Sequence, residues 1–305
     1  MAETTLVKVK RFNSLIWQVI IRNLKSDLKY KFKLLLNSLY TVINLALFTV
    51  IATVVQPKIG ALPPEYYNFD LGNLELSFLK FLFIGTWFWA CFTRPFEETV
   101  MCIPEEAQKG TIGLLITNNV NITALLIGRF FASYIISVTL ATGVCLPFFF
   151  ALGMITQEFL MAFPIFLIVF VSMTVFMLAV SIWVASFSLL FKKTGVLSNV
   201  FIYGLKVATG MYFPIFGLGR SALLLEAVPV ASGVDFLRDL FIVGYPVAHG
   251  NPTAIGFGWQ ETISHWVGFL LQSQIIGVVA LVLIAIISVK LYVKKAKIIG
   301  SIETY

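Results

Sequence analysis

The side chains best suited to chemistry in this sequence are four glutamates in one short stretch: Glu97, Glu98, Glu105 and Glu106. Ionised carboxylates accept strong hydrogen bonds and can pair with the basic side chains of another protein. A simpler interpretation is that the stretch is only the water-exposed part of a hairpin between two helices. A tight helix–helix turn needs few residues, whereas this polar stretch runs from 94 to 121. Its length favours a structured connector that a partner protein binds.

The order of residues in this connector predicts two short helices with a break between them. Pro104 occupies a suitable first helical position and places Glu105 and Glu106 in the first turn, where carboxylates interact favourably with the helix dipole. Gly110 ends or kinks that helix, and Thr111 can cap the next one, which continues as "IGLLI". The connector is therefore expected to present an acidic helix and a partly apolar helix to water.

Motifs of known catalytic and metal sites are absent from the sequence. It contains no GxxxxGK[ST] phosphate-binding loop, no HExxH zinc motif and no GxSxG nucleophile turn. The two histidines, His249 and His265, have no evident ligand partners, and the three cysteines show no CxxC spacing. We therefore predict that the chain is not an enzyme and that it binds no metal or other cofactor itself.

The elements that must position these residues are membrane helices. The chain of 305 residues is 59% hydrophobic and only 12% charged, with a mean hydropathy of +0.92. Soluble domains average about 45–50% apolar and about 25% charged residues. Because about 20 apolar residues suffice for a helix to cross a bilayer, we predict an all-α polytopic membrane protein. Its six transmembrane helices are expected at 34–55, 77–93, 125–150, 160–191, 197–213 and 266–289.

The distribution of lysine and arginine orients these six helices. The loops on the same side of the membrane as the N-terminus hold most of the positive residues. The loops on the opposite side hold only Lys58, Arg220 and Arg238. Since positive loops stay on the cytoplasmic side, both termini are predicted to be cytosolic. The net charge of +7 therefore reflects membrane orientation rather than nucleic-acid binding. The N-terminus shows no cleavable signal peptide, and we expect a cytoplasmic (plasma) membrane protein.

Residues 10–31, which precede the first span, form an amphipathic pattern. Their apolar side chains recur at helical spacing opposite a basic face, which predicts a helix lying among the lipids of the inner membrane interface. Two interpretations of this entry helix stay open. It is either a simple membrane anchor or a contact for an acidic partner.

On the outer side, residues 217–250 are apolar but interrupted by prolines and glycine. The segment carries charges that would be costly to bury in a continuous span. We therefore expect two short re-entrant helices between the fifth and sixth spans. Ser232 would cap the second of them, with Asp235 in its first turn.

The stretch "EEAQKGTIGLLITNNVNITALLIGRFFASYI" resembles the signature region of the ABC type-2 exporter permeases. Members of that family typically show a glutamate-rich turn, a Gly-Thr pair, a leucine-rich stretch, a polar turn, and a small residue followed by a base at the third span. In this chain these features are Glu105 and Glu106, Gly110 and Thr111, Leu114 and Leu115, "TNNVN", and Gly128 with Arg129. The family usually has proline in the polar turn and lysine after the small residue, where this chain has Asn119 and Arg129.

The resemblance implies a permease subunit of an ATP-driven exporter. Its pathway would form between two permease copies, identical or sister chains, and separate ABC ATPase subunits would bind ATP and Mg²⁺. The connector would couple the permease to those ATPases through Glu97, Glu98, Glu105, Glu106, Gly110 and Thr111. The second and fifth spans would form the pathway walls, with Phe83, Trp87, Tyr203, Lys206 and Gly210 facing the substrate.

Other interpretations of the sequence remain open. Lys206 either snorkels from the end of a short span or faces a pathway, whereas Lys80 and Arg129 are expected to snorkel. A self-contained channel or ion-coupled carrier would explain the spans, but the predicted spans lack the mid-membrane carboxylates that such carriers use. A membrane-embedded assembly or receptor protein would use the entry helix and connector as a scaffold. ATP-dependent activity with a co-purifying ATPase would separate the exporter from both rivals.

Overall fold

The regular elements of the described chain are all helices, which confirms the all-α prediction for these residues. A computed structural model describes residues 2–59, 74–118, 120–155, 157–189, 195–211, 228–241 and 275–299. In chain order the helices are α1 (Ala2–Lys29), α2 (Lys31–Ile59), α3 (Leu74–Gln108), α4 (Ile112–Thr117), α5 (Ile122–Ala151), α6 (Gln157–Phe187), α7 (Gly195–Ala208), α8 (Pro229–Phe241) and α9 (Ile276–Ile299). A helix pairs its backbone groups within its own segment, which lipid requires of any spanning element.

Three of the described helices are long and apolar enough to cross a membrane. They are α5, the Phe163–Phe187 part of α6 and the Ile276–Val293 part of α9. Only 11% of the α9 span is buried inside the protein, so its apolar side chains face outward, as lipid contact requires. The other three predicted spans overlap α2, α3 and α7, and α7 has only 14 residues. The chain is thus a membrane protein by length and composition of its helices, while the count of six spans stays a prediction.

The entry helix α1 begins earlier than the predicted 10–31 and ends at Lys29. It packs against α5, where Val19 and Ile20 are buried. Gly128 of α5 permits this approach, because a Cβ at that position would lie 2.7 Å from the Val19 Cβ. Part of the apolar face that was expected to contact lipid therefore packs within the chain. Trp17 remains exposed on the far side.

Helix α3 lies at the centre of the packing, against α2, α5, α6, α7 and α8. An aromatic cluster surrounds it, and Trp87 is the hub of this cluster. The Trp87 ring stacks on Phe170 with centroids 5.6 Å apart and meets Phe149 edge-on at 5.4 Å. Such pairs contribute about 0.5–1.5 kcal/mol each beyond the burial of their area. α3 is therefore well fixed over the part that leads into the connector.

Helix α8 is the part of the predicted outer segment 217–250 that the structure describes, together with Val228. The prediction that Ser232 caps a helix is wrong, because α8 already begins at Pro229 and the Ser232 hydroxyl donates to the Pro229 carbonyl. Proline needs no backbone partner at the first helical position, so the helix starts there.

Two charges of α8, Asp235 and Arg238, are buried rather than placed at a polar surface. Arg238 is 0% exposed and pairs with Asp235 at 3.1 Å. Its guanidinium also donates to the carbonyls of Thr209 and Gly210, at 3.3 and 2.7 Å, at the C-terminal end of α7. These carbonyls would otherwise lack partners, so the buried cation satisfies a helix end as well as a carboxylate. This pairing explains how the segment buries charges that would each be costly to bury alone.

Candidate functional site

The connector begins as a continuation of α3 rather than as a separate helix. The prediction that Pro104 starts a new helix is wrong, because Pro104 lies inside α3, which ends at Gln108. Proline weakens a helix interior, but here its neighbours Cys102 and Ile103 are buried in a hydrophobic cluster with residues of α5 and α6. This packing holds the helical conformation past the proline. Glu105 consequently lies in the last turn of α3, where the helix dipole disfavours a carboxylate.

Gly110 ends α3, as the sequence predicts. Its φ of +69° is in the left-handed region that glycine adopts without strain. The Gly110 N–H donates to the Ala107 carbonyl and the Thr111 N–H donates to the Glu106 carbonyl, both at 3.0 Å, which is the Schellman pattern of helix ends. The Thr111 hydroxyl also donates to the Glu106 carboxylate at 2.5 Å. Thr111 therefore closes the end of α3 instead of capping α4 with its side chain.

Arg94 of α3 ties the start of the connector to the entry helix. Its Nη2 lies 2.7 Å from the Asp27 carboxylate of α1, and its Nε lies 2.8 Å from the Glu98 carboxylate one turn further along α3. All three side chains are about one-seventh exposed, at 14–15%. Ion pairs shielded from water to this degree are screened by salt less than surface pairs.

Arg129 of α5 joins this cluster to the far end of the connector. Its Nε lies 3.4 Å from the second Glu98 oxygen, and its Nη2 lies 3.1 Å from the Glu105 carboxylate. Its Nη1 donates to the Asn23 side chain of α1 at 3.3 Å. Arg129 therefore has partners in its own chain, and the expectation that it snorkels stays a prediction. We call these residues the ion cluster: Asn23, Asp27, Arg94, Glu98, Glu105 and Arg129.

The ion cluster changes what the predicted coupling glutamates contact. Glu98 and Glu105 have arginines of their own chain as partners, and Glu106 has Thr111. The exposed tip of the connector instead contains the residues after α3 and the outer face of α4. Leu114 of α4 is 63% exposed there, which is unusual for a leucine on a short polar connector.

A cavity of about 490 Å³ with polar and apolar walls opens between α2, α3, α5 and α7. This volume is within the range of cavities that hold small organic ligands. Its walls combine charged, hydroxyl and aromatic side chains, among them Tyr40, Thr86, Trp89, Glu97, Ser137, Tyr203 and Lys206. Arg94 and Glu98 of the ion cluster line the same cavity. The structure therefore brings predicted coupling residues and predicted pathway residues to one space.

Lys206 of α7 lies beside two aromatic rings of this cavity. Its Nζ is 5.7 Å from the centroid of the Trp89 ring and 5.6 Å from that of Tyr203. Cation–π contacts at such distances contribute roughly 0.5–1 kcal/mol, or more where water is excluded. The contact holds the ammonium group at the cavity wall, which favours the interpretation of Lys206 as a residue that faces a pathway.

Glu97 belongs to α3 and lines the cavity with an exposed side chain. The protein around it removes enough water to raise the pKa of the Glu97 carboxyl, while Lys206 opposes this effect and Glu98 adds to it. The pKa of the Glu97 carboxyl therefore depends both on the charge of Lys206 in the cavity wall and on the charge of Glu98 in the ion cluster.

The remaining predicted pathway residues do not line the cavity. Phe83 and Trp87 are buried in the aromatic cluster around α3, with 4% and 5% of their surfaces exposed. Gly210 ends α7 with a φ of +59°, and its carbonyl accepts the hydrogen bond from Arg238. Their observed contacts are therefore with other helices of the chain.

Several residues of the site were missed in the sequence. Arg94 is spaced i, i+4 from the predicted site residue Glu98 on one helix, which is a readable signal for an ion pair. Asp27, Asn23 and Ser137 gave no such signal, because they reach the site only through the packing of α1 and α5 on α3. Among the described residues, no group of histidine, cysteine, aspartate and glutamate side chains could hold a metal ion.

Comparison with known proteins adds no family to this description. No protein-family model matches the chain, and no curated protein matches it. The class that the fold and the site define is therefore an all-helical membrane protein, in its described part, with a cavity between helices next to a structured connector.

Proposed function

We propose that the chain is the permease subunit of an ATP-driven ABC exporter. It forms the substrate pathway together with a second permease copy or a sister permease. Separate ABC ATPase subunits bind ATP and Mg²⁺ and attach to the connector. This chain itself performs no hydrolysis, in keeping with its lack of a P-loop sequence.

The observation that carries the proposal is the position of the connector relative to the cavity. α3 lines the cavity at Trp89 and Glu97 and continues as one helix to Gln108, within the connector. A displacement of the connector tip is therefore transmitted along α3 to the cavity wall. The ion cluster supports this transmission, because it joins α3 to α1 and α5 through Arg94 and Glu98, which are part of the cavity wall.

Within this proposal the glutamates and α4 have separate roles. Glu98 and Glu105 hold the connector to its own chain, through Arg94 and Arg129. The exposed face of α4, with Leu114 at its centre, is the surface that enters a cleft of the ATPase. An apolar anchor in a cleft contributes affinity, whereas charged rim pairs contribute register more than affinity.

Binding of ATP draws two ATPase subunits together and pushes the two connectors that they hold. Each connector moves its α3 and alters the cavity between α3 and α7. The cavity thereby alternates between an open and a closed form, and substrate leaves on the outer side. Differential binding of ATP to the closed form supplies the free energy for the change.

The test of the proposal is a mild-detergent purification of the tagged chain from its native membrane. Mass spectrometry should identify a P-loop protein in the eluate in stoichiometric amount, together with ATP turnover. In Leu114→Asp we expect recovery of that protein to fall about tenfold or more, because the cleft would have to bury a charge. Leu114→Met is the matched control and should retain it.

The outcome that would contradict the proposal is a chain that elutes alone in wild type and in Leu114→Met. Recovery of the ATPase in Leu114→Asp equal to that in wild type would instead show that α4 is not the docking surface. Size-exclusion profiles of the variants establish that each is folded before the comparison is made.

A self-contained channel or ion-coupled carrier is the second candidate, and one observation favours it. The cavity holds an acidic and a basic side chain, Glu97 and Lys206, and ionisable groups between membrane helices often bind a coupling ion. Reconstitution into vesicles without any ATPase decides between the two. Uptake driven by a proton or sodium gradient alone supports the carrier, and uptake only with the ATPase and ATP supports the exporter.

A further inference from the structure

Several polar groups of the cavity have no hydrogen-bond or ion-pair partner in the part of the chain that the structure describes, and three of them carry the argument. They are the ammonium of Lys206, the carboxylate of Glu97 and the hydroxyl of Ser137. The Lys206 ammonium lies beside two aromatic rings and interacts with the Glu97 carboxylate electrostatically, without an ion pair. The Ser137 side chain is 5% exposed, and its Oγ is buried without a partner. Leaving the buried Ser137 hydroxyl unpaired is costly, and the half-buried Lys206 and the exposed Glu97 face the same cavity, so an occupant could complete all three groups.

The charges of the cavity divide into a paired set and an unpaired set. Arg94 and Glu98 line the cavity but neutralise each other at 2.8 Å. Lys206 and Glu97 line the same cavity without forming an ion pair with each other. The wall therefore offers one unpaired positive group and one unpaired negative group to any occupant.

This balance selects the charge type of the occupant. A simple anion would pair with Lys206 but would be repelled by Glu97, and a simple cation would meet the opposite difficulty. A neutral apolar molecule would leave both charges unpaired in a site with less water. Only a molecule that carries both charges completes both groups, and the rings of Trp89 and Tyr203 provide an apolar and aromatic surface for its body.

We propose that this cavity binds a zwitterionic organic molecule, with its anionic group at Lys206 and its cationic group toward Glu97. The proposal names the substrate class of the cavity and rests on the proposed function for the transport of that substrate. Ser137 contributes a hydrogen bond to the bound molecule. A soluble amino-acid-like compound and a zwitterionic lipid headgroup share this chemistry, and the experiment separates these two sources.

The experiment measures binding to the purified full chain in maltoside detergent, without ATP, by titration calorimetry. The soluble series is L-phenylalanine, 3-phenylpropionate and 2-phenylethylamine, which share one body and differ only in charge. The lipid series is dihexanoylphosphatidylcholine and dihexanoylphosphatidic acid. We expect saturable binding of one zwitterion, about tenfold or more tighter than its singly charged analogues. Preference for phenylalanine indicates a soluble substrate, and preference for phosphatidylcholine indicates a headgroup.

Three substitutions assign the binding to the named side chains. Lys206→Gln and Glu97→Gln should each weaken binding of the zwitterion about tenfold or more, and each should reduce selectivity against one analogue only. Lys25→Gln, on the exposed face of α1, is the matched control and should leave the affinity unchanged. Ser137→Ala should weaken binding without lowering the thermal midpoint of the empty protein, since the hydroxyl it removes is unpaired there.

The proposal is overturned if neither zwitterion binds saturably or if all charge types bind equally well. It is also overturned if Lys206→Gln and Glu97→Gln fold and bind as wild type does. If the charge variants fail to fold, unchanged affinity in Ser137→Ala has the same consequence. Because no ATPase is present, these failures leave the exporter proposal untouched. Zwitterion binding by a chain that co-purifies with no ATPase would instead contradict the exporter alone.

Discussion

Glu98 is the carboxylate on which the ion cluster depends most. Its two oxygens face two different arginines, Arg94 on its own helix and Arg129 on α5. At 14% exposure it is shielded from water more than Glu105, which is 36% exposed. The interaction energy of a charge pair rises as water is excluded, so Glu98 contributes more to the position of the connector than the outer glutamate does.

Glu98→Gln should therefore lower stability measurably. The amide keeps the shape of the side chain but loses the charge, which leaves Arg129 with Glu105 and Arg94 with Asp27 as their remaining acidic partners. We expect a loss of about 1–3 kcal/mol, the range for hydrogen bonds to charged groups in partly buried sites. The midpoint of thermal denaturation in detergent should fall by several degrees.

Lys109→Gln is the control for that prediction. It breaks an ion pair with Glu105 that is 4.0 Å long, with Lys109 60% exposed. Exposed pairs of this kind contribute about 0–1 kcal/mol, so the midpoint should stay almost unchanged. A shift in Lys109→Gln as large as that in Glu98→Gln would mean that the ion cluster has no special stabilising role.

At the scale of elements, the break between α3 and α4 depends on the backbone of Gly110. No atom lies within 4 Å of a Cβ built there, so the positive φ is the sole steric obstacle to alanine. Gly110→Ala should cost about 1–2 kcal/mol, the penalty of a left-handed conformation for a residue with a Cβ. Amide hydrogen exchange in α4 and in the last turn of α3 should become faster, because the Schellman bonds are weakened.

Gly113, inside α4, provides the opposite case on the same element. A Cβ there also meets nothing within 4 Å, but its backbone is helical. Gly113→Ala should stabilise α4 by about 0.5–1 kcal/mol through helix propensity, and exchange in α4 should become slower. Slower exchange in Gly110→Ala would show that the connector does not need the left-handed turn.

The elements that the sequence predicts well are those set by local interactions. The break at Gly110 follows from backbone conformation, and the apolar spans follow from composition. The predicted helix start at Pro104 is wrong because burial of its neighbours outweighs the local preference of proline for a first helical position, so α3 continues through it. Likewise the sequence does not indicate the partners of Arg129, because Glu98, Glu105 and Asn23 become its neighbours only when three helices pack.

The cavity shows the same division between local and tertiary information. Lys206 stands out in the sequence because a lysine is rare in an apolar helix. The sequence does not indicate that Glu97, predicted for ATPase coupling, shares a cavity with it. Glu97 and Lys206 share the cavity because α3 packs beside α7. Such a helix pairing cannot be read from periodicity in either helix.

At the scale of the whole molecule, the exporter proposal requires the connector to face the cytosol. The three native cysteines permit a labelling test of this orientation without being removed, because all are buried. Burial raises the pKa of the Cys102 thiol to about 12, an effect that Arg129 opposes, so the reactive thiolate is scarce at neutral pH. Wild-type protein should accordingly show almost no reaction with a maleimide.

Cysteines introduced one at a time then report on each side of the membrane. Lys109→Cys places a thiol at the exposed connector, and Glu65→Cys places one in the loop predicted after the first span. In intact cells a membrane-impermeant maleimide should label Glu65→Cys but not Lys109→Cys, and permeabilisation should expose Lys109→Cys. The reverse pattern would put the connector outside, where no cytosolic ATPase can reach Leu114, and would contradict the exporter. Labelling of both variants in intact cells would instead mean that one of the predicted crossings between 65 and 109 does not exist, and α3 could then not carry a displacement from the connector across the membrane.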